Sequence, residues 1–377
     1  MVTDAGTATT QTPDLFVYRE RLERAQAEMG QQGVDLLLVG PSSDFRYLTG
    51  HDAHTSERLT LLLLPRDGDP SVVVPTLEAP QFVSRRDLLN VHPWEETQAP
   101  TDLVATLAGD LTGKTVAVGD QLYSVFLLRL QAAMPGVQWV SATPTLRALR
   151  MTKDGREIEA LREAARRTDD AWEEFVSKPL AGQTETEALG RLRALTADRG
   201  LKGVWGICAS GPNSASPHHH TGDRVIREGD AVIFDWGGTI EGYYSDVTRT
   251  VHVGEPDEEF RRVYDLVLRA NQVTLDAVGP GVPCEALDEA ARDLITGEGY
   301  GAAFLHRVGH GLGLDVHEEP YLVGGNALPL ETGMVFSDEP GVYLEGRFGV
   351  RIEDAVLCTE DGGERLNEAT RELLILG

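Results

Sequence analysis

Residues 231–251 read as two β-prone runs, Ala231 to Ile240 and Tyr243 to Val251, about a Glu241-Gly242 step, the pattern of a hairpin. A turn centred between Ile240 and Glu241 sets Asp235 and Asp246 directly opposite each other on one face. Cross-strand partners have Cβ atoms about 5 Å apart, and like charges there are destabilising. Two readings follow: a divalent cation lies between the carboxylates, or the register differs and one aspartate is a solvated strand residue.

The residues that follow supply more donors. His306, His310 and His317 fall in one short stretch ending at Pro320, Glu339 follows Ser337-Asp338 at an expected strand end, and Arg351 and Glu353 share one face of an expected strand. Taken singly, each is more often a surface acid or a core histidine. Together, Asp235, Asp246, His310, Glu339 and Glu353 make a hard-oxygen set with one imidazole, suited to Mn²⁺, Co²⁺ or Zn²⁺ rather than to a thiolate-bound structural zinc. Four carboxylates carry four negative charges, which two divalent ions neutralise.

The 377 residues are enough for two domains. In the first part, a helical pattern at 17–32 precedes short apolar runs (34–39, 59–64, 72–74, 116–118, 137–140), the alternation of an α/β domain ending near residue 150. Residues 1–14 read as a loose tail without the apolar core of a secretory signal. Asp154 and Glu157 then form a capping-box pattern opening a long helix to about Val176, followed by helical stretches at 183–199, 256–278 and 284–297. The domains expected are 15–150 and 151–377.

With 34 Lys+Arg against 60 Asp+Glu, the net charge of −26 disfavours phosphate backbones and anionic lipid surfaces, so neither nucleic acid nor a membrane is the expected partner. No apolar run approaches the ~20 residues that span a bilayer. Cys208, Cys284 and Cys358 fit neither a disulfide framework nor a zinc spacing, and read as reduced core thiols of a cytoplasmic protein.

The ordered segments FDWGG, SDVTRT, GHGLGLDVHEEP, SDEPG and RIED resemble those of the dinuclear metallopeptidases of the pita-bread fold, the group containing methionine aminopeptidase, aminopeptidase P and prolidase. The motifs span about 205–354, and the preceding 150 residues resemble the creatinase-type domain of aminopeptidase P, prolidase and creatinase. The resemblance implies an α/β creatinase-like N-terminal domain followed by an α+β pita-bread catalytic domain. It implies a homodimer and two metal ions, Mn²⁺ first with Co²⁺ or Zn²⁺ as alternatives, held by the same five residues. It also implies that His218 approaches the substrate, that His317 contacts the scissile carbonyl, and that His306, one helix-like turn before His310, lines the substrate pocket. His219 and His220 read as solvated residues or as neighbours that support the site from behind its direct contacts.

The activity expected is hydrolysis of the bond before proline in small peptides by a metal-bridging hydroxide. Two metals lower the pKa of a bridging water toward ~7, Glu339 takes its proton and passes it on, and His317 stabilises the oxyanion. Arg351 orients a carboxylate, meets the substrate, or pairs with Asp354. A nucleotide-binding loop at Gly309–Gly313 lacks the G-x-G-x-x-G spacing. A metal-free creatinase-like hydrolase or a non-enzymatic pita-bread module would be expected to have lost ligands. The compact chain favours an Xaa-Pro dipeptidase over an aminopeptidase acting on longer peptides. One departure counts against this: many prolidases place a carboxylate-binding arginine after the HExP segment, where this chain has Tyr321. Arg46, in a Ser43–Gly50 segment read as a loop, is the candidate replacement.

Overall fold

The computed structural model describes residues 15–377; the tail expected at 1–14 lies outside them. The chain divides between Arg150 and Met151 into two compact units.

The first unit runs α1 (Leu15–Gln32), β1 (Leu36–Val39), α2 (Ser43–Thr49), β2 (Leu61–Pro65), β3 (Ser71–Pro75), β4 (Asn90–Trp94), α3 (Pro100–Ala108), β5 (Thr115–Val118), α4 (Ser124–Ala133), β6 (Gln138–Ser141) and α5 (Thr143–Arg150). Its strands form one mixed sheet in the order β4-β3-β2-β1-β5-β6, with β1, β5 and β6 parallel. Continuous apolar runs such as Leu61–Leu64 are buried along their length, as a sheet covered on both faces requires.

Two elements depart from the sequence expectations. The segment read as a loop before a strand is helix α2: the Ser42 hydroxyl accepts from Phe45 N at 3.2 Å, and Gly50 ends the helix at φ 66°, so both cap signals were present in a helix too short to show a period. Strand β4, parallel to β3 at the sheet edge, was not expected because Asn90, His92 and Pro93 break the apolar pattern, a composition that edges tolerate.

The second unit opens with α6 (Gly155–Phe175), whose start is fixed by the capping box of Asp154 and Glu157. Its apolar stripe buries Ala164, Ala171, Trp172 and Phe175, and the Trp172 ring stacks on Trp236 at 4.9 Å. Then follow α7 (Glu185–Asp198), β7 (Lys202–Ser210), β8 (Ala231–Ile240), β9 (Tyr243–Tyr244), β10 (Val247–Val253), α8 (Glu258–Ala277) and α9 (Cys284–Gly297). The remainder is β11 (Gly309–Gly311), β12 (Glu318–Leu322), β13 (Val335–Asp338), β14 (Gly341–Leu344), β15 (Phe348–Arg351), β16 (Asp354–Thr359), β17 (Gly362–Arg365) and β18 (Leu374–Leu376). Two sheets, β18-β10-β8-β7 with β9 on β8, and β12-β11-β13-β16-β17, are joined by a bridge between Thr248 and Glu353. Helices α8 and α9 bury Val263, Val267, Leu287 and Ile295 in one core with Phe336 and Val356. The three cysteines are free and buried, and no helix among the described residues is long and apolar enough to cross a membrane.

The hairpin register corrects the opening expectation. Ile240 pairs with Tyr243 and Asp235 with Thr248, so the turn is centred between Glu241 and Gly242, one residue later than assumed, which moves the pairing register by two. Both turn residues have positive φ, 51° and 89°, as a two-residue hairpin loop of this hand needs. Asp246 is therefore diagonal to Asp235 on the same face, two residues from its direct partner, where side chains sit about 7–8 Å apart rather than 5 Å.

Candidate metal centre

Four backbone devices bring the donors together. Asp235 projects from the middle of β8, and Asp246 precedes β10 after the chain has turned. His310 is the central residue of the three-residue strand β11, between two glycines pressed against neighbouring backbone: a Cβ on Gly309 would lie 1.9 Å from Ser337 O, and one on Gly311 2.3 Å from Glu319 O. These glycines serve close strand packing, not a nucleotide phosphate. Glu339 follows the last residue of β13.

Arg351 and Glu353 do not share a strand, because β15 ends at Arg351 and β16 begins at Asp354. The break lets Glu353 pair with Thr248 and turn its carboxylate inward, where Thr248 Oγ1 donates to Glu353 Oε2 at 2.6 Å. Nor does Arg351 pair with Asp354; its Nη2 donates to Asp235 Oδ2 at 2.6 Å, while Asp354 takes the buried Arg249.

Asp235, Asp246, His310, Glu339, Arg351 and Glu353 line one cavity of about 600 Å³, together with His218, His306, His317, Arg307 and Trp205. Asp246, His310 and Glu353 each offer a ligand atom within 4.8 Å of the others. His310 Nδ1 lies 3.1 Å from the carbonyl of Gly311 and can only donate to it, which leaves Nε2 facing Glu339 Oε1 at 3.2 Å and Asp246 Oδ2 at 3.7 Å.

The electrostatics call for a cation. Burial, then the charge of Asp235, pushes the Asp246 carboxyl well above the ordinary carboxylate range, and burial followed by Asp246 does the same to Glu353. Burial also raises Asp235 against the pull of Arg351. Burial raises Glu339 too, but the hydrogen bond and charge of His310, with His306 and Arg351, together outweigh it and hold this carboxyl at about 2. Asp235 Oδ1 is buried without a hydrogen-bond partner. An orphaned oxygen, an imidazole nitrogen aimed at carboxylates and four crowded acids fit divalent metal ions.

The remaining expected residues are placed as follows. His317 lies with its ring 4.0 Å from that of His310, and burial, then the His310 charge, lowers its pKa to about 4, so it is neutral at physiological pH. His306 is not one helical turn before His310, since 304–308 is irregular. Its Nδ1 donates to Arg307 O at 2.8 Å and its Nε2 accepts from Tyr343 Oη at 2.8 Å, so both nitrogens are engaged. Arg46 is on α2 and pairs with Asp52 at 3.3 Å.

Sequence reasoning missed three residues. Tyr343 is buried between His306 and Arg351, whose Nη1 donates to its hydroxyl at 2.9 Å. Glu185, at the start of α7, is fully buried and accepts from Ser210, Asn213 and Gly222, tying down the loop that carries His218. Arg307 lines the cavity from the segment before β11. Only Arg307 stood inside a motif already singled out.

Residues 159–360 match the model of Metallopeptidase family M24, and residues 21–152 match that of the Creatinase/Prolidase N-terminal domain. The chain is similar to the probable dipeptidase PepE of Mycobacterium tuberculosis, 42% identical over 368 residues, covering 96% of this chain and 98% of that protein. It is similar in structure to a prolidase from Thermococcus sibiricus, with a TM-score of 0.91, 39% identity, and 95% and 99% of the two chains covered. An X-Pro aminopeptidase from Thermotoga maritima gives a TM-score of 0.83 at 31% identity, covering 94% and 99%. By fold and by sequence, from its creatinase-like N-terminal domain through its pita-bread catalytic domain, the chain belongs to metallopeptidase family M24.

Proposed function

We propose that this enzyme is an Xaa-Pro dipeptidase that hydrolyses the bond before a C-terminal proline, with Asp235, Asp246, His310, Glu339 and Glu353 holding two divalent ions, Mn²⁺ first among them. The observation that carries the reading is the convergence of those five side chains in one cavity of about 600 Å³, with Asp235 Oδ1 orphaned. Such ions, held by these five side chains, would neutralise the carboxylates and would lower the pKa of a water toward neutrality.

The chain's own residues do the rest. Glu339 Oε1, which accepts from Ser337 Oγ at 3.2 Å, takes the proton of the attacking water and delivers it to the departing proline nitrogen. Neutral His317 donates to the carbonyl oxygen as charge develops there. Arg351, held by Thr248 and Tyr343, fixes the orientation of Asp235. His218 stands at the cavity wall beside the substrate.

The relatives named dipeptidase and prolidase support the reading, and the one named X-Pro aminopeptidase supports the alternative. Tyr321, in place of an arginine, is the feature that favours the alternative, release of a residue before proline from longer peptides. The test offers Mn²⁺-loaded protein Ala-Pro, Ala-Pro-Ala and Ala-Ala side by side, with metal-stripped protein as control. Cleavage of Ala-Pro well above the other two is expected. Preference for Ala-Pro-Ala would move the assignment to the aminopeptidase, and preference for Ala-Ala would remove the proline requirement.

A further inference from the structure

Two arginines line the cavity, and they differ in what their guanidinium groups are doing. Arg351 is committed: Nε donates to Thr248 Oγ1 at 3.0 Å, Nη1 to Tyr343 Oη at 2.9 Å, and Nη2 to Asp235 Oδ2 at 2.6 Å. Arg307, half-buried, makes no side-chain hydrogen bond or ion pair among the described residues. Its Cζ lies 4.2 Å from the centroid of the Tyr321 ring, and Tyr321 pairs across the strands with His310. Stacking on an aromatic face fixes the plane of a guanidinium and leaves its N–H edge available, so the ring presents the cation without consuming its donors.

Tyr321 is the residue that follows Pro320, so the position lacking a cation is the one over which Arg307 is held. A dipeptide ending in proline carries its carboxylate directly on the ring's Cα, and in a chain of net charge −26 that anion needs a positioned partner. We infer that Arg307, stacked on Tyr321, is the specificity residue that takes the C-terminal carboxylate of an Xaa-Pro substrate and sets the preference for dipeptides over longer chains.

This inference rests on the Xaa-Pro reading and deepens it. Planar, two-pronged donation makes the fork of arginine, rather than any positive charge, the recognition element. The carboxylate is bound equally before and during reaction, so its loss belongs in KM rather than kcat.

The test compares Ala-Pro with Ala-Pro amide, which lacks the charge, on Mn²⁺-loaded wild type, Arg307→Gln and Arg307→Lys. Wild type should prefer the acid. Arg307→Gln should raise KM for Ala-Pro by about 10- to 100-fold at nearly constant kcat, leave the amide within about 3-fold, and so abolish the preference, with Arg307→Lys between. Calorimetry with L-proline and L-prolinamide provides a readout independent of turnover: wild type binds proline more tightly, and Arg307→Gln does not discriminate. Equal losses on acid and amide, or an unchanged KM for Ala-Pro in Arg307→Gln, overturns the assignment. Wild type that cleaves acid and amide equally also overturns it while leaving the Xaa-Pro reading intact. Wild type that cleaves neither overturns both.

Discussion

Arg249 donates to the main-chain carbonyl of Glu353 at 2.6 Å, reaching from the first sheet of the catalytic unit to the connection where the second turns its carboxylate inward. The same guanidinium reaches Asp354 Oδ1 at 2.7 Å and the carbonyls of Thr248, Ala369 and Thr370. Both members of the ion pair are buried. Removing one partner of such a pair leaves an uncompensated charge and costs about 3–5 kcal/mol, so Arg249→Ala should lower the guanidinium denaturation midpoint accordingly. Because Arg249 positions Glu353 through the backbone, metal affinity should fall by about 10- to 100-fold as well. Wild-type stability in Arg249→Ala would show that the pair and its carbonyl contacts are energetically idle.

Metal removal should reveal the repulsion that Asp246 carries. In the stripped protein this carboxylate is buried beside Asp235 and His310, so Asp246→Asn should be at least as stable as wild type. Adding Mn²⁺ should raise the melting temperature of wild type, since a ligand bound only by the folded state stabilises it at 100 times its Kd by about 2.7 kcal/mol. The variant should gain little and should show no turnover. An equal Mn²⁺-induced shift in both proteins would take Asp246 out of the ligand set.

His317 lies beside His310 without being one of the five donors, and it is neutral near pH 7. His317→Ala should therefore keep its metal content and fold while losing about 10²- to 10³-fold in kcat, the usual loss for one transition-state donor. Mass spectrometric metal analysis alongside steady-state kinetics checks both halves. Loss of metal together with turnover would make His317 a ligand instead.

What was legible in the sequence followed local chemistry. The capping box at Asp154 and Glu157 states its own structure, and β-prone runs such as Leu61–Leu64 reveal themselves by composition. The donor types inside their motifs were legible for the same reason. Register was not: the centre of a two-residue turn cannot be read to the residue, and here it decided whether Asp246 opposes Asp235 or stands diagonal to it. The break between Arg351 and Glu353 was hidden likewise, because it depends on Thr248, more than a hundred residues away in the chain, pairing with Glu353. Arg307 was in view all along, but its stacking on Tyr321 exists only once β11 and β12 pair.

Glu185 makes a pH-dependent contribution whose sign can be worked out. Its side chain is fully buried and accepts from Ser210 N at 2.8 Å, Ser210 Oγ at 2.7 Å, Asn213 Nδ2 at 2.9 Å and Gly222 N at 3.2 Å, with His219 Nε2 at 2.9 Å. Burial raises its pKa, but the hydrogen bonds from Asn213 and Ser210 outweigh that and leave the carboxyl below its ordinary 4.5. An acid whose folded pKa is depressed binds fewer protons folded than unfolded near that value, so its stabilisation is complete above about pH 4.5 and disappears as pH falls through the folded pKa. Glu185→Gln substitutes an amide whose NH₂ must face donors, and hydrogen bonds to a charged acceptor are worth about 1.5–3 kcal/mol each. Urea denaturation at pH 7 should therefore place the variant about 3 kcal/mol below wild type, and the gap should narrow as pH is lowered below 4.5. Because the same hydrogen bonds hold the segment carrying His218, the variant should also raise KM while retaining metal. A gap that stays constant or widens on acidification would mean that Glu185 is protonated in the folded state.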